Sequence, residues 1–135
     1  MSGKELLLSA LRNQPTPRPA WVPFVGVHGG KMIGAMAQEY LRSADLITRG
    51  LLKSCELYKP DGLPVVFDLQ LEAEVLGCQL RWADETPPAV TSHPLSSGTV
   101  LADLPAFDTA KRRFPVVAEA MGTLKPKIGN DVALY

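Results

Sequence analysis

Residues 63–67 read LPVVF, an apolar run with no alternation. Such a run suits a strand covered on both faces, as in a parallel sheet packed under helices. Its neighbours agree. Upstream, a helix begins near Ser43 and places Ile47, Leu51, Cys55 and Tyr58 on one face, and KPDG (59–62) ends it with a turn. Downstream, LEAEVLG (71–77) reads as a short helix closed by Gly77. A long helix follows with Pro115 in its first turn, Val117, Ala120, Met121 and Leu124 on one face, and Lys125 and Lys127 near its negative end. VALY (132–135) starts a further strand. Earlier still, Ser2 and Glu5 form a capping box for a helix with Leu7, Ala10 and Leu11 on one face. Prolines at 15, 17 and 19 stop that helix, and AWVPFVGV (20–27) reads as a first strand that Pro23 weakens. Alternating helices and strands define an α/β fold with a parallel sheet. CQLRWAD (78–84) instead alternates, and with AVTSH (89–93) it is expected to form a hairpin outside that sheet. The predicted architecture is the amino-terminal part of a (β/α)8 TIM barrel, with residues 1–135 as one incomplete portion of a single domain and the hairpin as an excursion after the second strand.

Composition narrows the function. Fourteen basic residues balance fourteen acidic ones, which gives no electrostatic reason to hold nucleic acid or a membrane surface. No apolar run approaches the roughly 20 residues of a membrane span. Cys55 and Cys78 form neither a disulfide framework nor a zinc knuckle, which fits a reducing cytoplasm. A zinc site needs about three or four ligands, and no such cluster is visible, so no metal residue is assigned.

Two places carry candidate chemistry. Asp68 follows LPVVF directly, where the strand's carboxyl end would meet a barrel mouth. By residue chemistry alone, helix capping is the better-supported role, since Asp is a favoured N-cap. His28, Gly29 and Gly30 follow the first strand in the same way. A histidine there can bind a carboxylate, ligate a metal or move a proton, and glycines admit a ligand close to the backbone. A plain connecting loop is the competing reading. Glu72 and Glu74, two apart, cannot share a helix face and are expected to be solvated or paired with a Lys or Arg. His93 receives no role, and Lys111, Arg112 and Arg113 read as a solvated patch.

Four stretches taken in order, KELLLSALRNQPTPRPAWVP, YKPDGLPVVFDLQLEAEVLGC, LPAFD with RFPVVAEAM, and GNDVALY, resemble the uroporphyrinogen decarboxylase superfamily. Within it they are more similar to the methylcobalamin:coenzyme M methyltransferase branch. The resemblance implies a catalytic Asp68, matched through Phe67–Asp68 and the glycine nine residues on, and substrate-binding His28, Gly29 and Gly30. In the decarboxylases an arginine-rich RQAGR follows the first strand; here HGGKM stands in its place, with His28 near the first arginine and Lys31 near the second. Without that guanidinium clamp, a polycarboxylated porphyrinogen loses its bidentate partners.

The resemblance therefore implies methyl transfer with a corrinoid cofactor to a zinc-activated thiol in the whole protein, with zinc ligands outside these residues and no cofactor held within them. It implies a tetrapyrrole or corrinoid substrate, a corrinoid protein as partner, and a homodimer. The alternatives are uroporphyrinogen decarboxylation, which uses no cofactor, and a non-catalytic binding or assembly fragment. Three structural expectations follow. The 135 residues do not close a stable barrel alone. The Asp68 carboxylate faces the barrel axis, so that Asp68→Asn lowers turnover with little effect on folding. His28 opens toward the same mouth.

Overall fold

The structure, a computed structural model, describes all 135 residues. Its elements are α1 (Gly3–Leu11), α2 (His28–Lys31), α3 (Ala37–Tyr40), α4 (Ala44–Tyr58), β1 (Gly62–Leu63), α5 (Leu71–Val75), β2 (Gln79–Arg81), β3 (Ala89–Ser92), two 3₁₀ turns (Pro94–Ser97 and Leu101–Asp103), α6 (Phe114–Ile128) and β4 (Ala133–Leu134).

β1 and β4 pair in parallel, Gly62 opposite Ala133 and Leu63 opposite Leu134. Val65 N–H extends the contact by donating to Tyr135 O at 2.8 Å. α4 and α6 bury their apolar faces against this pair. Ile47 and Leu51 from α4, Leu63 and Val65 from the strand, and Ala120 and Leu124 from α6 are all nearly inaccessible. Ser43 caps α4 through Leu46 N–H, and Lys59 ends it in a left-handed conformation at φ 48°. β2 and β3 form a separate antiparallel hairpin with a register shift after Gln79, outside the parallel pair as its alternating pattern requires.

The expected first strand is absent as a ladder. Residues 20–25 run past the sheet, and one backbone bond joins them to the second strand, Asp61 N–H to Trp21 O at 2.9 Å. Prolines explain this. Leu63 and Val65 turn their backbone groups toward β4, so by alternation Pro64 faces the 20–25 segment, and it has no N–H to give. Pro23 removes a donor from the other side. The segment still packs, with Val25 buried and Phe24 stacked on Phe67 at 4.7 Å.

Three other expectations change. The buried residue of α1 is Leu6, while Leu11 is 75% exposed, because α1 lies on the β1–β4 ends and is tied down by Lys4 N–H to Asp131 O. The HGGK loop is a short helix. On α4 the buried face continues through Ser54, leaving Tyr58 at its edge.

Candidate functional site

The chemistry-bearing groups collect where β1 hands over to α5. Asp68 lies past the strand, and its side chain has no exposure at all. Oδ1 accepts from Gln70 N–H at 2.9 Å, the local turn that opens α5. Oδ2 accepts from Arg113 Nη1 at 2.6 Å. Arg113 sits at the amino end of α6, and it also donates from Nε to Glu74 Oε2 at 2.8 Å. Its guanidinium lies 4.7 Å from the centroid of the Trp82 ring, on the excursion, and Arg42 lies 3.8 Å from the same ring. One arginine thus ties together the end of β1, α5, the head of α6 and the hairpin.

This corrects two readings. Arg113 is not part of a solvated patch; its planar fork is buried between two carboxylates, which engage Nη1 and Nε and leave Nη2 without a partner. Asp68 does not present its carboxylate to an open mouth. The side chain turns back onto the following turn and onto α6; its bond from Gln70 N–H lies ahead of α5, whose N-cap is Gln70 with no side-chain cap, so Asp68 is held by that turn and by a buried ion pair rather than serving as the helix cap. A cavity of about 380 Å³ runs beside Asp68, walled by Val66, Phe67, Leu69, Val117, Met121 and Tyr135 among others, and it is mostly apolar.

His28 goes elsewhere. Its Nε2 lies 2.8 Å from the Tyr58 hydroxyl at the end of α4. It lines a cavity of about 620 Å³ with Lys31, Gly34, Asp84 and Glu85, between the end of the 20–27 segment and the hairpin turn. Asp68 is not among the residues lining that cavity, and His28 is not among those beside Asp68. Gly29 and Gly30 are buried, and the space their side chains would occupy is filled by Tyr40; a Cβ on Gly30 would stand 2.8 Å from Tyr40 Cγ. Their smallness admits an aromatic ring and α4, whose Gly50 makes the matching contact, rather than a ligand. Burial pushes the Tyr40 hydroxyl well above the usual phenol range.

At the opposite end of β1, Arg18 grips Asp61 with two bonds of 2.6 and 2.8 Å, and Trp21 N–H adds a third at 2.8 Å. The Arg18 bonds hold the Asp61 carboxyl below its ordinary range. No group of three or more His, Cys, Asp or Glu side chains converges anywhere, so the residues do not fit a zinc ion. No helix is long and apolar enough to cross a membrane. Sequence reasoning missed Arg113, Arg42 and Arg18. The only available signal was the need of Glu74 for a cationic partner, and pattern alone could not say which one.

The uroporphyrinogen decarboxylase (URO-D) family model matches residues 2–135. Two methylcobamide:CoM methyltransferases MtaA, from Methanosarcina barkeri and its strain Fusaro / DSM 804, are 25% identical over 138 aligned residues, 97% of this chain and 40% of theirs. A solved methyltransferase from Methanosarcina mazei superposes with a TM-score of 0.79 at 27% identity, over 99% of this chain and 41% of that one. The chain spans about two-fifths of the length of these relatives. Its fold is accordingly α/β, the amino-terminal part of a (β/α)8 barrel with a hairpin excursion after β1, the second strand in barrel order.

Proposed function

The chain belongs to the uroporphyrinogen decarboxylase family, and we propose that within it the protein serves corrinoid-dependent methyl transfer to a thiol. The observation that carries this reading is the agreement of a sequence relative and a solved structure on methyltransferases, along almost the whole chain. HGGKM supports it from the residues. Decarboxylation of a porphyrinogen, the second reading, calls for guanidinium groups after the first strand, and this loop has none. Zinc and thiol activation belong to the proposal alone, and no step is assigned to a metal on these residues. A corrinoid protein as partner, a homodimer and a cytoplasmic setting complete it, with residues 1–135 as one portion of a single barrel domain.

In this reading Asp68 is a positioning residue. It fixes the carboxyl end of β1 and the head of α6, which flank the cavity beside it. His28, with Lys31, lines the second cavity and offers it polar contacts. The test is demethylation of methylcobalamin by protein expressed from its complete reading frame, with zinc and a thiol, beside a porphyrinogen decarboxylation assay. Methyl loss that depends on protein and thiol is expected. Decarboxylation without demethylation would replace this reading with the second, and neither activity would leave the binding or assembly role.

A further inference from the structure

The arginines around Trp82 make an arrangement that the reading above does not use. Arg113, Arg42 and Arg112 gather at the ring and the cavity beside it, facing two carboxylates, Asp68 and Glu74. Arg42 and Arg112 have no carboxylate within 4 Å. The Arg113 side chain is only 7% exposed, yet its Nη2 is buried with no hydrogen-bond partner. An unsatisfied buried charged donor is costly, and such groups find an acceptor when one is offered. Glu74 and Trp82, which both touch Arg113, are also walls of a cavity of about 490 Å³ that Arg112 lines too. Arg113 therefore stands directly behind that cavity's wall. Arg112 is held at φ 58°, a left-handed conformation unusual for a residue with a Cβ.

We propose that the cavity between α5 and the hairpin is a binding site for a small oxyanion, a carboxylate or phosphate group of a ligand, with Arg112 as its outer donor and Arg113 Nη2 as its inner one. Planar guanidinium groups suit both oxyanions. Glu74, the one carboxylate in the lining, does not oppose the anion fully, because its own charge is already engaged by Arg113 Nε. Trp82 is the wall that must yield for the inner donor to be reached, which makes it the reporter. The site does not depend on methyl transfer.

The experiment follows tryptophan fluorescence in protein expressed from its complete reading frame, with Trp82→Phe as the control that assigns the signal to Trp82. Sodium phosphate and sodium acetate are titrated against sodium chloride at constant ionic strength, which separates binding from screening. A saturable change with phosphate, acetate or both is expected, and the responsive ion names the group. Arg112→Gln, at an exposed position, is expected to weaken it about tenfold or more, the loss of one charge-assisted bond, and Arg42→Gln to weaken it in the same direction. Arg49→Gln, on the far part of α4, leaves it unchanged. No saturable response to either ion beyond that of chloride overturns the proposal. So does a response that Arg112→Gln leaves intact in protein with unaltered circular dichroism.

Discussion

Arg113 and Asp61 show how much one side chain decides here. Removing one partner of a buried ion pair leaves the other uncompensated, at a cost of about 3–5 kcal/mol. Arg113→Gln and Asp68→Asn are each expected to lose stability on that order in chemical denaturation, while the exposed Arg112→Gln changes it by less than about 0.5 kcal/mol. The double variant should lose much less than the sum of the two, which is the signature of a direct pair. Additive losses would show that the pair does not carry the effect. This reverses the expectation that Asp68→Asn is benign to folding, because asparagine keeps the bond from Gln70 N–H but not the charge opposite Arg113. Asp61 gives the pH-dependent counterpart. Its folded pKa is lowered, chiefly by Arg18, so its contribution is fully present above the ordinary carboxylate value of about 3.9 and is lost as pH falls through the lower folded value. The stability gap between wild type and Asp61→Asn should therefore be widest near neutrality and close in acid. Because Arg18 is 56% exposed, the gap should also shrink in salt. A gap that stays constant from neutral pH into strong acid would remove Asp61 from acid unfolding.

Among the elements, the contact of α2 with α4 is the most exacting. A Cβ on Gly50 would meet Tyr40 Cε2 at 2.6 Å and Gly29 O at 2.7 Å, and backbone cannot step aside as a flexible side chain can. Gly50→Ala is expected to cost about 1–3 kcal/mol through overpacking. Gly122→Ala, on α6 with nothing within 4 Å of the new atom, should stabilise by about 0.5–1 kcal/mol from helix propensity alone. Thermal melting of the two variants side by side checks the contrast, and a Gly50→Ala protein melting at or above wild type would contradict the packing account. The roles of Gly29 and Gly50 are not readable from the residues nearby in sequence, since HGG and TRG differ from an ordinary loop and helix only in what lies across from them.

For the whole molecule, one group of exposed apolar residues lies together, with Phe67, Leu69 and Tyr135 lining one cavity. Phe24 is 64% exposed, Leu69 74% and Tyr135 53%, and Phe24 stacks on Phe67 beside a parallel pair of only two strands. Contiguous apolar surface next to unpaired strand edges promotes association. The 135-residue chain by itself is expected to show a sedimentation coefficient that rises with concentration, and Phe24→Asp with Leu69→Lys to reduce that rise. A concentration-independent monomer would refute it.

By themselves the residues determined the order of the elements from α4 onward, the cap of α1, the start of α4, the buried stripe of α6, the hairpin's separation from the parallel pair, and the family. All of these rest on local periodicity, local hydrogen bonding or motif order, which the chain carries in neighbouring positions. The tertiary structure alone decided that residues 20–25 form no ladder, because Pro23 and Pro64 had to be placed on facing edges before their missing donors mattered. It alone took Asp68 out of solvent, since Arg113 lies 45 positions away and no local pattern ties the two together. It alone turned His28 toward Tyr58 and gave the space beside Gly29 and Gly30 to Tyr40. Charge pairing and close packing act between residues remote in sequence, and only the folded chain brings them within reach.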